Sequence, residues 1–440
     1  MKSQHRRFTR PLALTAGLAA VALLSACAGD TGTAVEQDAD SAITVWVDAS
    51  REPIANAFKE ENPDVKINIE TYDGNAGGSD SFKTKIALFD QSNEGWPDVV
   101  FSTQTNDTSW AAKELNGAQA YAAPLNDLLS DGFLDGFTAG ANDPMTVDGQ
   151  VYGLRNDLAP VVLWYNQTLL DQFGYDIPET WEDYLELSDN LAADHPGYIL
   201  GSVGDSFVGT YVYYFGAQAP IFQVDGDTFS SDFADDHSTR MTDLIDHMLD
   251  NGTLVQNSVF SAEFTALSDK LVAIPGPAWY SGALFQNPDG LNSAPGSVGA
   301  ANPLYWEGED VGTGNVGGGV WYASSHTKNE AAVAKFLEYV IASDKAAELN
   351  SGLPAYKSAS DAWLAKQSES GFFAGDFSGA LSTAAGSVWQ GWGYPSFSPE
   401  TAYASVVVPA LASGASLADT VEAWQTEIKN EAQVQGYTVK

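Results

Sequence analysis

Apolar residues recur along the chain with two different periods. The first block is "ITVWV", Ile43 to Val47, a β-prone run suited to a strand buried on both faces. Ile54, Ala57 and Phe58 follow at helical spacing, with Asp48 or Ser50 placed to cap the helix and Asn62-Pro63 to end it. Val65, Ile67 and Ile69 then alternate as a second strand. The loop "DGNAGGSD" leads to a helix around Phe82 to Phe89, and Pro97 to Phe101 reads as a third strand. Strand, helix, strand, helix, strand predicts a parallel α/β sheet.

The pattern continues to the C-terminus. Asp148-Gly149 lies between β-rich runs and predicts a hairpin, as does "FQVDGDTFS". "VVLWYN" and "GGGVWYASS" read as strands, and "ETWEDYLELSDNLA" as a helix with a Thr180/Asp183 capping box. The clearest amphipathic helix is "NEAAVAKFLEYVIAS", with Ala332, Val333, Phe336, Leu337, Val340 and Ile341 on one face and a capping box expected from Thr327 and Glu330. A helix from Asp344 should stop at Gly352 and Pro354, and a last one follows Ser416 with Leu417, Val421, Trp424 and Ile428 at helical spacing. In "AIPGPAWYSGALF", Pro275 to Pro277 should stop any helix or central strand and place Trp279 just past a turn.

Length and charge narrow the picture. At 440 residues the chain exceeds one ordinary core, which favours two domains. A net charge of −38 excludes nucleic acid as a partner, because phosphate neutralisation needs clustered Lys and Arg. The N-terminus carries Lys2, Arg6, Arg7 and Arg10, then the apolar run Pro11 to Leu24, too short for a confident membrane span, then "LSAC". Residues 1–26 therefore read as a secretory signal peptide, and the ending resembles a bacterial lipobox with Cys27, the sole cysteine, as the lipidated first residue of the mature chain. Residues 27–41 lack periodicity and aromatics and read as a flexible tether.

Several chemistries find no support. "VDASREP" after the first strand has no glycine to admit a pyrophosphate, and no G-x-S-x-G marks a serine nucleophile. His195, His237, His247 and His326 have no metal-ligand spacing, and no D-x-D-x-D-G loop offers a calcium site, so no metal or cofactor is expected. A glycosidase needs two facing carboxylates, and 58 acids single out no pair. Past the signal segment only Arg51, Arg155 and Arg240 could read an anion; Arg51 or Arg155 could hold one carboxylate, as in a uronic acid.

Taken together, "ITVWV…IANAFKEENPDVKI", "PDVVF", "LWYNQTLLDQFG" with "DIPETWEDYLELSDNLA", "AIPGPAWYSG" and "GGGVWYASSHTKNEAAVAKFLEYV" resemble the extracellular solute-binding proteins of bacterial carbohydrate ABC transporters, the maltose-binding-protein-like group. One departure is Ala159-Pro160, where maltose binders tend to carry a ligand-contacting acid. The resemblance implies an α/β, two-lobed fold, each lobe a mixed sheet flanked by helices, with residues 42–157 and 305–352 in the first lobe and 158–304 and 353–440 in the second. It further implies a lipid-anchored monomer, not an enzyme, that closes on a neutral sugar and delivers it to membrane permease subunits. A cationic polyamine or peptide is the alternative ligand, since an acidic aromatic cleft also suits a cation.

A sugar needs aromatic plates for its C–H faces and polar groups for its hydroxyls. In the family motif an aromatic follows Gly-Pro as a stacking platform; here Ala278 intervenes, so either Trp279 or Tyr280 takes that role. Gly-flanked Trp389 and Trp392 are further candidates, whereas Trp181 and Trp424 fall within helix patterns. Polar candidates sit at strand exits: Asp48 and Ser50, Asp73, Gln104 and Asn106, and Asp157. Gly318 and Gly319 would let backbone approach the ligand or a neighbouring strand, and Tyr211 could reach the cleft from the second lobe.

Overall fold

Alternating side chains on the first strands divide between two cores. In the computed structural model, which describes residues 35–114 and 119–440, Val45, Val47 and Phe101 pack under Ile54, Phe58 and Phe336, while Trp46 and Val100 face Phe82 and Ile86 on the other side. Burial on both faces is why these strands read as continuous apolar runs. Ile43–Val47 is flanked by Ile67–Thr71 and Val99–Ser102, both parallel to it. Val320–Ala323 adds antiparallel to Val99–Ser102, and Leu154–Arg155 adds antiparallel to Val320–Ala323. The first lobe is thus a five-stranded mixed sheet covered by helices Glu52–Glu61, Ser81–Ser92 and Glu330–Ala342.

The second lobe is built on a four-stranded mixed sheet. Val161–Asn166 lies between Ala273–Pro277 and Val298–Ala301, antiparallel to both, and Phe373–Ala374 adds parallel to the latter. Its core contains Trp164, Trp181, Tyr184, Tyr213, Tyr214 and Trp424, all buried. The "FVGTYVYYF" run is helical, Val208–Tyr214, and the hairpins at Asp148-Gly149 and at Gln223–Asp225 with Thr228–Ser230 form as the turn residues predict.

Four expectations are corrected. The segment Ala273–Pro277 is a full strand, from Ala273 opposite Tyr165 to Pro277 opposite Val161. It is tolerated because it is an edge strand. The Ala278 N–H bonds Pro160 O, so alternation turns the Pro275 and Pro277 nitrogens, which have no hydrogen to donate, to the open side. The cap of Glu330–Ala342 is Asn329, whose Oδ1 accepts the Ala332 N–H at 3.1 Å; Thr327 instead donates to Asp98 Oδ1 at 2.7 Å. Residues 305–316 pack with the second lobe: Trp306 donates its indole N–H to Ala217 O at 3.2 Å, and Gly314 O and Thr313 pair with Val161 and Val388. The chain re-enters the first lobe only at 317–319. Finally, the end of the expected tether is anchored: Gln37 donates to Thr327 O at 3.2 Å and Asn329 donates to Ala39 O and Ser41 O. The signal segment and Cys27 lie outside the described residues.

Three chain crossings lie side by side between the lobes. Asp157–Leu158 pairs antiparallel with Leu353–Pro354, and Pro160 bridges Asn315. Arg155 fastens the first two of them. Its Nε donates to Asp157 O at 2.9 Å, and its Nη2 to Gly317 O at 2.8 Å and Asn315 Oδ1 at 3.2 Å.

Candidate binding crevice

The carboxyl ends of the three parallel strands open toward the second lobe, the edge at which open α/β sheets bind ligands. Between the lobes lies a cavity of about 910 Å3. The first lobe lines it with Ser50 and Arg51, with Ala76 and Gly77, and with Thr103 to Asn106. The second lobe contributes aromatic rings, and the crossings contribute Asp157, Leu158 and the backbone of 315–319.

Trp279 faces this cavity. Its indole N–H donates to Val316 O at 2.9 Å, and its ring lies 6.1 Å from that of Phe260 at 12° and 5.7 Å from that of Phe207. Tyr280 turns the opposite way, is fully buried in the second-lobe core against Gly276, and does not line the cavity. Ala278 thus shifts the platform by one residue without moving it to Tyr280.

At the other end, Trp389 and Trp392 both line the cavity with different freedom. Trp392 is buried, stacks on Phe215 at 4.3 Å and 15°, and donates to Ala219 O at 2.7 Å, so only an edge reaches the crevice. Trp389 is half-buried and packs on Phe215 at 6.2 Å, leaving more of its ring free. Tyr211 also lines the cavity, 6.0 Å from Trp392; burial raises its hydroxyl pKa well above the ordinary value, so it stays a neutral hydrogen-bonding group.

The polar candidates separate in the same way. Ser50, Gln104, Asn106 and Asp157 line the cavity; Asp48 and Asp73 do not. Asp48 accepts the Arg51 N–H at 2.9 Å and pairs with its guanidinium at 3.2 Å. Asp73 organises the loop whose Ala76 and Gly77 line the crevice, accepting from Ser79, Ser81 and the Asn75 N–H. Partial burial raises its pKa, but the hydrogen bonds from Ser81 and Ser79 prevail and hold it below the usual carboxylate value. Asn106 Nδ2 is buried without a partner, a donor available to a ligand. Gly318 and Gly319 line the cavity, but close packing dictates them: a Cβ would meet Asp157 O at 2.3 Å at the first and the Phe101 ring at 2.2 Å at the second.

Both arginines at the site are engaged. Arg51 pairs with Asp48 and with Asp157 Oδ1 at 3.5 Å, and its guanidinium lies 4.4 Å over the Phe101 ring. Arg155 is buried among carbonyls, with its pKa lowered by desolvation although Asp157 opposes this. A bidentate anion reader is therefore not presented. The expectation that either holds a ligand carboxylate finds no free fork in the structure.

Sequence reasoning did not single out Phe207, Phe260, Tyr394, Asp205, Asn315 and Glu400, all of which line the cavity. Phe260 and Tyr394 are 54% and 45% exposed, unusual for rings of this size. Tyr394 follows Trp392-Gly393, so the glycine-flanked segment was a usable signal one residue further on.

Residues 44–347 match the family model for bacterial extracellular solute-binding protein, and the chain belongs to that family. The chain is similar to the arabinooligosaccharide-binding protein of Halalkalibacterium halodurans, 24% identical over 66% of this chain and 64% of the relative. The curated relatives it matches are covered over 37%, 64% and 40% of their own lengths. Two solved structures share the fold over nearly the whole described chain. The ABC transporter associated binding protein from B. animalis subsp. lactis Bl-04, in complex with β-1,6-galactobiose, has a TM-score of 0.73 at 22% identity, covering 90% of this chain and 99% of that one. The galacto-N-biose/lacto-N-biose I-binding protein from Bifidobacterium longum, in complex with lacto-N-biose, has a TM-score of 0.73 at 19% identity, covering 92% and 100%.

Proposed function

We propose that this chain is the substrate-binding subunit of an ABC importer, held at the outer face of the cell membrane through lipidated Cys27, that captures a neutral sugar or oligosaccharide between its lobes and hands it to the permease as a monomer. The observation that carries this reading is the lining of the crevice. Flat aromatic faces at Trp279, Phe260, Trp389 and Tyr394 stand opposite neutral hydrogen-bonding groups at Ser50, Gln104 and Asn106, with both nearby arginines already paired. Aromatic planes suit pyranose C–H faces, and amides and hydroxyls suit sugar hydroxyls. The sugars bound by the family relatives support the same class of cargo. About 910 Å3 is large for a monosaccharide and accommodates several sugar rings. The chain acts as a binder in this reading, with no chemical step assigned to it.

A thermal-shift panel of β-1,6-galactobiose, lacto-N-biose, maltotriose and raffinose, with spermidine as the cationic comparison, tests it. A ligand at 100 times its Kd adds about 2.7 kcal/mol of stability. A rise in Tm with at least one saccharide is expected. A rise with spermidine alone would overturn the sugar reading.

A further inference from the structure

Of the acids lining the crevice that form no ion pair, Glu400 is the most buried; Asp205, half-buried, accepts the Val259 N–H at 2.7 Å and has its pKa raised by desolvation. Glu400 opens the short helix Glu400–Ala402 and is 2% exposed, yet it lines the cavity. Its carboxyl takes a hydrogen bond from the opposite lobe: Gln104 Nε2 donates to Oε1 at 3.3 Å. The groups facing it are few. The Tyr211 hydroxyl approaches from Val208–Tyr214, and the Ala76–Gly78 loop and Gln104 approach from the first lobe. Glu431, on Val421–Val434, is reached through Thr401, whose hydroxyl donates to Glu431 Oε1 at 2.6 Å; Asp80 and Glu427 lie near Glu431. On the helix Ser81–Ser92 of the first lobe, Lys83 is occupied by Asp80 and Asp107, both at 2.9 Å, and Lys85 lies over the Trp46 ring.

We propose that Glu400, in its protonated form, is a ligand-positioning and lobe-closing residue: its carboxyl accepts from Gln104 across the gap and donates its own hydrogen to a ligand hydroxyl in the crevice. This rests on the reading of the cargo as a neutral saccharide. A carboxylate would be held there by one long amide hydrogen bond in place of water. Burial accordingly pushes the Glu400 carboxyl up to about 7, with the Gln104 bond opposing. Parting the lobes breaks the Gln104 bond and admits water, which returns the carboxyl toward its ordinary range. A group whose pKa is higher in the closed form favours closure most below the open-form pKa. That contribution is lost as pH rises through the closed-form value. Closure and ligand affinity therefore weaken between about pH 5 and pH 7.

The test uses two readouts. The saccharide of the panel above that raises Tm most is titrated calorimetrically at pH 5.5 and 8.0. Wild-type affinity is expected to fall about tenfold or more at the higher pH. E400Q, which keeps a neutral hydrogen-bonding group of the same shape, should lose most of that dependence, and E431Q should keep it. In parallel, small-angle scattering of ligand-free protein should show a smaller radius of gyration at pH 5.5 than at 8.0 in wild type and E431Q, with no change in E400Q. A pH-independent wild type, or a dependence that survives in E400Q, overturns the proposal. If no saccharide of the panel binds, the cargo reading fails by itself, and the scattering experiment alone decides for or against Glu400 as the closure residue.

Discussion

The indole N–H of Trp279, on the second lobe, donates to the carbonyl of Val316, in the second of the three crossings, at 2.9 Å. The bond fixes the ring plane at the crevice wall beside Phe260 and Phe207. Trp279→Ala should weaken saccharide binding at least about tenfold, near 1.4 kcal/mol, because it removes a stacking face from a desolvated site. Far-UV circular dichroism should stay unchanged. Trp279→Phe keeps a ring and loses the bond, so an intermediate affinity by calorimetry is expected. Equal affinity in wild type and Trp279→Ala would remove the residue from the site.

Tyr280 gives the opposite signature. Its ring is fully buried, and its hydroxyl is buried without a partner. Tyr280→Ala should cost about 3–5 kcal/mol by leaving a cavity in the core, read as a fall in Tm. Tyr280→Phe should be neutral or stabilising, since it deletes an unsatisfied polar group. Tyr280→Phe should leave saccharide affinity within about twofold of wild type, because it keeps the ring that packs edge-on against Trp279 at 4.9 Å, whereas Tyr280→Ala removes that support and should also weaken binding by the folded protein.

These two neighbours show what the sequence made legible. The buried face of Glu330–Ala342 is the set Ala332, Val333, Phe336, Leu337, Val340 and Ile341 that the helical period picks out, because a single long helix carries its own register. The strand exits were legible for the same reason, as Ser50, Gln104 and Asn106 follow directly from short apolar runs. The misses depend on contacts distant in sequence. Glu400 reads as an ordinary acid at a helix start until Gln104, 296 positions away, is placed against it. The Pro275–Pro277 segment reads as a break because strand position within a sheet, edge or centre, is set by partners the local sequence does not name. The 305–316 segment has no strong periodicity, so nothing local tied it to the second lobe.

Gly318 has φ +87°, and a Cβ there would meet Asp157 O at 2.3 Å and Arg155 Nη2 at 2.4 Å. Both atoms belong to the cluster that fastens the first two crossings. Gly318→Ala should therefore strain the backbone and push Arg155 off its carbonyl partners, lowering stability by about 2 kcal/mol or more. Thermal unfolding monitored by circular dichroism checks this. A Tm equal to wild type would mean the crossings yield more readily than their packing implies.

Gly78 tests closure itself. It has φ +70°, and a Cβ at this position would stand 2.9 Å from Ser398 Cβ and 3.2 Å from Thr401 Cγ2, both on the opposite lobe. Gly78→Val places a branched side chain where the lobes touch, so the closed form meets a clash that the open form avoids by hinge rotation. Affinity should then fall about tenfold, while the ligand-free stability, read from Tm, falls by the strain of a β-branched residue at positive φ, about 1–3 kcal/mol. Scattering should show a larger radius of gyration with ligand than wild type gives. If Gly78→Val binds as tightly as wild type and contracts equally on binding, the rim around Ser398 is not where closure is limited, and the Gln104–Glu400 contact beside it would lose its role as the latch.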